Sequence, residues 1–94
     1  MPSIYYETGC NSMLYEVEMW FIANHSPDNY DWIEQYREDM EALIDGDADD
    51  IVNDCIDYLM SVCSYSHNYI NKHKDILVSY LSGCAETSMQ ENLL

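Results

Sequence analysis

The chain has 94 residues, of which 18 are acidic and only three are basic, so its formal net charge is −15. This length predicts one domain, and we expect a single acidic helical domain over residues 1–94. Hydrophobic residues make up 48% of the chain, which excludes a disordered acidic tail, because such tails lack the side chains for a core. The negative charge also excludes direct binding to nucleic acid or to an anionic membrane, since both would be repelled.

The N-terminal part of the chain is predicted to be a short extended segment followed by a helix. Residues 3–6 have the pattern of a minor strand or an extended arm. Asn11 or Ser12 is a suitable N-cap, and apolar residues recur at helical spacing from Met13 onward. We therefore predict a first helix over residues 13–23.

Two further helices are predicted in the middle of the chain. Ser26 is a good N-cap and Pro27 suits the first helical position, so a second helix is expected from there to about Ile44. A third helix is expected after Asp47 as N-cap, and it should end near Cys63 or Tyr65. The apolar faces of these two helices are predicted to consist of Ile33, Tyr36, Met40, Leu43 and Ile44 on one, and of Val52, Cys55, Leu59, Val62 and Cys63 on the other.

The C-terminal part is predicted to be one helix and a tail. Residues 64–68 have the composition of a turn, with a continuous helix through them as the alternative. A last helix is expected over residues 69–82, with Gly83 as its stop. Residues 84–94 are polar and are expected to form a loose tail. The fold class that follows is mainly α, a small single-domain bundle of about four helices.

The acidic residues are concentrated, with twelve of the 18 lying between Asp28 and Asp57. On the second predicted helix five of them step by three or four residues, which places them within about 80° of one another. A second line follows on the third helix. The two acidic stripes consist of Asp31, Glu34, Glu38, Glu41 and Asp45 on the second helix, and Asp50, Asp54 and Asp57 on the third.

A double row of regularly spaced carboxylates is expected to substitute for a stretch of backbone phosphates. Steps of three or four helical residues rise about 5 Å, while one DNA strand carries a charge about every 3.4 Å of helix axis. Ordinary solvated helix faces mix positive and negative side chains, whereas Arg37 is the only cation between Met1 and Asn71. We therefore interpret the stripes as a partner-binding surface rather than as a merely solvated one.

The run of aspartates that begins at Asp45 also suggests a calcium loop, but the motif fails. An EF-hand loop needs Gly at its sixth position and a bidentate Glu at its twelfth. Counted from Asp45, these positions hold Asp50 and Ile56. We predict no specific calcium site here.

Other chemistry has little support in the sequence, and we expect no enzyme activity, no metal and no cofactor. Cys55, Cys63, His67 and His73 lack the C-x-x-C spacing of a zinc site, and the two histidines fall on different helix faces. No nucleophile elbow, phosphate-binding loop or glycine-rich hairpin is present. The four cysteines are expected to be reduced thiols, because no basic and apolar leader precedes the domain.

Aromatic residues supply a further candidate for partner binding. Trp20, Tyr36 and Tyr80 fit apolar helix faces and are expected in the core. Trp32 falls between the acidic and apolar stripes of the second helix. It is expected to anchor a partner, to form a homodimer contact, or to cap the edge of the core.

In length, charge and the stripe pattern between Asp28 and Asp57, the chain resembles the small acidic DNA-mimic proteins of phages and mobile elements, which are anti-restriction and anti-CRISPR proteins. The resemblance is compositional and covers about a third of the chain. It implies a non-enzymatic inhibitor in the host bacterial cytosol that occupies the nucleic-acid-binding site of a basic protein or complex. The eight stripe carboxylates and Trp32 would be its partner-binding residues.

A second interpretation is an acidic immunity, antitoxin or chaperone-type protein that covers a basic partner without imitating DNA. The chain resembles helical nuclease-immunity proteins in size and charge. Their tyrosine pair has no match in an interhelical position, because Tyr5-Tyr6 lies at the N-terminus.

Overall fold

The computed structural model describes residues 10–92, and within that range all regular structure is helical. Five α-helices and one 3-10 turn follow one another along the chain. In order, they are α1 Asn11–His25, the 3-10 turn Pro27–Asn29, α2 Ile33–Asp45, α3 Asp49–Ser61, α4 His67–Lys72 and α5 Lys74–Asn92. The mainly α class is thereby confirmed, while the strand predicted for residues 3–6 lies outside the described residues.

The two helices at the centre of the packing are α1 and α5. They pack on each other, α3 packs on α1, and α2 packs on α5. The buried side chains of all five helices form one hydrophobic cluster, because each helix turns an apolar face inward. Trp20, Tyr36 and Tyr80 all belong to this core, as the sequence predicted.

The end of α2 explains the aspartate-rich stretch that resembled a calcium loop. Gly46 has a φ of 81°, a left-handed conformation in which glycine is unstrained. The amide of Asp47 donates to the carbonyl of Ala42 at 2.8 Å, and the amide of Gly46 donates to the carbonyl of Leu43 at 3.4 Å. This pair of bonds is a Schellman motif, so the segment ends one helix and directs the chain into the next.

The prediction that α2 begins at Pro27 was wrong, because the helix begins six residues later at Ile33. Only a 3-10 turn forms after Ser26, and Tyr30 and Trp32 are extended. Asn29 donates to the carbonyl of Ala23 at 2.9 Å, so it satisfies the end of α1 instead of continuing a new helix. The tertiary contacts of Tyr30, described below, hold the link extended against its local helix signals.

Smaller corrections concern the ends of the middle helices. The third helix begins at Asp49 with Ala48 as its N-cap, not with Asp47. Ile33 and Val62, which were assigned to apolar faces, are both more than half exposed, because each lies at a helix end beyond the reach of the core.

The predicted turn at residues 64–68 is shorter, since α4 already begins at His67. Ser66 is its N-cap, and the hydroxyl accepts a hydrogen bond from the amide of Tyr69 at 3.1 Å. A non-helical residue, His73, separates α4 from α5, so the predicted last helix is two helices.

Gly83 does not end the last helix, and residues 84–92 do not form the loose tail that we expected. Helix α5 continues through Gly83 to Asn92, and Ala85 and Ser88 are buried. These two positions continue the inward line of Leu77 and Leu81. The line was hard to see in the sequence because its later members are small or polar.

The continuous α5 predicts opposite effects for two glycine substitutions. A Cβ at Gly83 meets no atom within 4 Å, so Gly83→Ala should raise the free energy of unfolding by about 0.5–1 kcal/mol through helix propensity. Gly46→Ala should instead lower it by about 1–2 kcal/mol, because Gly46 has a positive φ. Urea denaturation measures both, and a loss of stability in Gly83→Ala would contradict the continuous helix.

Candidate functional site

The acidic stripe of α2 faces solvent. Glu34, Glu38, Glu41 and Asp45 are all exposed on this helix. The opposite side buries Tyr36, Met40 and Leu43, and this burial fixes the rotation of the helix. Asp31 is also exposed, but it lies in the link two residues before the helix and not on its face, which corrects the prediction.

The acidic stripe of α3 is arranged in the same way. Asp50, Asp54 and Asp57 are exposed, while Val52, Cys55 and Leu59 are buried against the core. Asp50 lies in the first turn, where the helix dipole stabilises a negative charge. All eight predicted carboxylates are therefore accessible to a partner.

The stripe carboxylates have little neutralisation within the molecule. Between residues 10 and 92 the one ion pair joins Arg37 to Glu34, with 3.5 Å from Nε to Oε2, and both side chains are largely exposed. Asp45 is the last residue of α2, and no basic residue lies in that last turn to offset the unfavourable helix dipole. The arrangement thus costs stability rather than adding to it.

The two acid-bearing helices are held by different neighbours. α2 packs on α5 and α3 packs on α1, and residues 46–48 connect the two. The charges of Asp39 of α2 and Asp54 of α3 both raise the pKa of His25, the last residue of α1. Asp54, a member of the α3 stripe, thus acts electrostatically on the end of α1.

A hydrogen-bonded chain joins His25, Tyr30 and Asp39. The Tyr30 hydroxyl donates to Asp39 Oδ2 at 2.9 Å and lies 2.6 Å from His25 Nδ1. Because the phenol has a single proton, the imidazole Nδ1–H is the donor to its oxygen. Burial and the Asp39 carboxylate raise the pKa of Tyr30. Burial lowers the pKa of His25, and the two carboxylates only partly oppose that shift.

Among residues 10–92, Trp32 is the most exposed of the large apolar side chains, at 69%. It occupies the N-cap position of α2 in an extended conformation, beside Asp31. It does not cap the edge of the core, so of the three roles considered for it, partner binding and homodimer contact remain.

In the described part of the chain the thiols and histidines form no metal-binding group, and two of the thiols have raised pKa values. The thiols of Cys55, Cys63 and Cys84 are free, and burial raises the pKa of both Cys55 and Cys84 to about 12, which keeps these two thiols protonated at neutral pH. Among residues 10–92, no group of three His, Cys, Asp or Glu side chains has the arrangement that a metal ion requires.

One surface feature was missed in the sequence. Tyr15, Met19 and Ile22 line the outer face of α1 and are 57%, 43% and 51% exposed. Their spacing of four and three residues is a helical stripe, on the side away from Met13, Val17 and Trp20. The sequence did contain a signal for this stripe, because apolar residues recur on two sides of α1. A surface helix ordinarily has one apolar side.

No protein-family model, curated protein or solved structure that was compared with the chain matches it. The case for a function therefore depends on the chemistry of its surface. None of the helices in residues 10–92 combines the length and the apolar character needed to cross a bilayer.

Removing a stripe carboxylate should stabilise the fold. Glu38 lies one turn from Glu34 and close to Glu41, so Glu38→Gln relieves like-charge repulsion of about 0.2–0.5 kcal/mol per pair. We expect the free energy of unfolding to rise by about 0.5 kcal/mol at low salt and the gain to vanish in 1 M NaCl.

Glu34→Gln is the matched control, since it removes a charge from the same stripe but also breaks the pair with Arg37. It should give no comparable gain. A destabilised Glu38→Gln would show that this carboxylate has a stabilising partner, contrary to the account above.

The half-buried imidazole of His25 predicts a decrease in stability on mild acidification. His25 has a folded-state pKa below its ordinary 6.5, so the unfolded chain binds more protons below that pH. The stability contributed by neutral His25 is present above pH 6.5 and is lost as the pH falls through the lowered folded-state pKa. Urea denaturation from pH 7.5 to 5 should show this loss in the parent and in His67→Gln, an exposed control, but not in His25→Gln. Identical pH profiles for parent and His25→Gln would contradict it.

Proposed function

We propose that this protein is a DNA mimic. It occupies the nucleic-acid-binding site of a basic host protein, a CRISPR-Cas or restriction complex, in the cytosol of a bacterial host. It acts by binding alone, without catalysis or a cofactor. The observation that carries the proposal is the exposure of all eight stripe carboxylates, of which only Glu34 has an ion-pair partner within residues 10–92.

The dimensions of the stripes support this proposal. From Glu34 to Asp45 the α2 stripe extends about 16 Å, and from Asp50 to Asp57 the α3 stripe extends about 10 Å, at about 1.5 Å per residue. One DNA strand has about five phosphates in 16 Å of helix axis, at about 3.4 Å each. The carboxylates thus match the length of a short binding site, and Arg side chains that hold phosphates can hold carboxylates in the same two-bond geometry.

The loss of stability caused by the stripe carboxylates also supports the proposal. Five neighbouring pairs of like charges lie along the two stripes, and each costs about 0.2–0.5 kcal/mol. Asp45 adds an unfavourable position at a helix C-terminus. Residues that reduce stability with little internal compensation are expected where a binding surface requires them.

The proposal is tested by affinity capture with competition. The immobilised protein is exposed to the lysate of a bacterium with active restriction and CRISPR systems, and bound proteins are released with a 20-base-pair DNA duplex. We expect a basic nucleic-acid-binding protein to be retained and to be released by the duplex. Glu38→Gln combined with Glu41→Gln should weaken its binding at least about tenfold, because charge-assisted hydrogen bonds contribute about 1.5–3 kcal/mol each.

The matched control combines Asp28→Asn with Asp75→Asn, which removes two exposed charges outside the stripes. It has the same net charge as the stripe variant and should bind within about twofold of the parent, apart from long-range steering. A partner that binds this protein and DNA together would contradict mimicry and favour the immunity or antitoxin interpretation. Equal binding by the two double variants would show that only total charge matters.

A further inference from the structure

A second surface lies outside the acidic stripes, in a groove between α1 and α5. Its volume is about 760 Å³, and its walls include Phe21 and Ile22 of α1 and Tyr80 of α5. None of the eight stripe carboxylates lines it. Pockets that hold ligands have volumes of about 300–1,000 Å³, so the groove can accept several side chains of a partner.

Three carboxylates surround this groove. Glu18 comes from α1, and Glu86 and Glu91 come from α5, so they approach from both walls. The Tyr80 hydroxyl donates to Glu18 Oε1 at 2.8 Å, which holds that carboxylate in place beside the apolar wall. No Lys or Arg from residues 10–92 lines the groove.

The groove continues into the apolar stripe on the outer face of α1. Ile22 belongs to both, because it lines the groove and is also half exposed on the helix. Met19 and Tyr15 extend the apolar line away from the groove by one and two turns. In a chain with 18 acidic residues, this line contains no charge and has Glu16 and Glu18 beside it.

We propose that the groove and the apolar stripe of α1 together dock a cationic amphipathic segment of a partner protein. The apolar side chains of that segment lie on Phe21, Ile22 and Met19, and its Lys or Arg side chains contact Glu18, Glu86 and Glu91. This is the helix-in-groove type of peptide recognition, with charge complementarity that sets the partner. The proposal is independent of DNA mimicry, since the two surfaces share no residue.

Charge decides against other occupants of this surface. A second copy of the chain would bring a further net charge of −15 and only three cations, and its own Glu16 and Glu18 would accompany the α1 stripe. Nucleic acid and anionic lipid are repelled by the three carboxylates. A segment that combines apolar and basic side chains is attracted by both components of the surface.

Two labelled peptides test the proposal by fluorescence anisotropy in 0.15 M NaCl. Both are 14-residue peptides of leucine and lysine with the same composition, but one has all leucines on one helix face and the other has them spread around. We expect the amphipathic peptide to bind at least about tenfold more tightly, because general attraction to the acidic protein is equal for both. Ile22→Asn, and separately Glu86→Lys combined with Glu91→Lys, should each weaken its binding at least about fivefold.

Asp28→Lys combined with Asp75→Lys is the control, with the same charge change at exposed positions outside the groove. It should leave the preference for the amphipathic peptide unchanged. Equal binding of the two peptides would overturn the proposal. Groove variants that bind the amphipathic peptide as tightly as the parent would also overturn it. An equal loss of peptide affinity in Glu38→Gln combined with Glu41→Gln would place the peptide on the stripes and would overturn it too. Deletion of residues 1–9 that raises the affinity tenfold would also overturn it, since the chain's own N-terminal segment would then be the occupant.

Discussion

The contact on which the structure depends most is the burial of Tyr36 between α2 and α5. The Tyr36 side chain is fully buried, and its hydroxyl forms a hydrogen bond with the Ser88 hydroxyl. Its ring also lies edge-on to Tyr30, with centroids 5.2 Å apart. Because a buried hydroxyl without a partner costs about 1–3 kcal/mol, α5 must extend as far as Ser88 to satisfy it. The same burial turns the opposite side of α2, with its carboxylates, toward solvent.

In α2 and α3, one side of the helix therefore packs in the core and the other side presents carboxylates to solvent. The inner sides of α2 and α3 are apolar and join one core with α1 and α5. The outer sides carry acids that repel one another, and the core must offset that repulsion. A net charge of −15 is beyond the magnitude of about 2–8 that keeps a small domain soluble, so solubility alone does not explain it. The proposed binding to a strongly basic surface would account for it, because complementary charge there recovers the energy lost in the free protein.

Much of the fold and of the candidate site could be predicted from the sequence. The spacing of Met13, Val17 and Trp20 predicted α1, and the step of three and four residues placed the stripe carboxylates of α2 and α3 on exposed faces. The same alternation identified Tyr36 as a core residue. These features follow from local periodicity, which a single sequence contains.

The remaining features depend on side-chain contacts that the local periodicity of the sequence does not contain. Tyr30 stays extended because Asp39 and His25 hold its hydroxyl, and this interaction outweighs the helix signals of Ser26 and Pro27. Gly83 stays helical because packing of Ala85 and Ser88 in the core outweighs its low helix propensity. The α1–α5 groove brings Glu18 next to residues more than sixty positions later, a proximity that no local pattern indicates.

The most direct test of the DNA-mimic account is the structure of the complex between this protein and the nucleic-acid-binding protein that it captures. The account predicts that carboxylate oxygens of Glu38, Glu41 and Asp54 lie about 2.7–2.9 Å from Lys or Arg nitrogens, and that those same side chains contact phosphates when the partner holds DNA. A complex in which the stripes face solvent while the partner's nucleic-acid site stays open would contradict it.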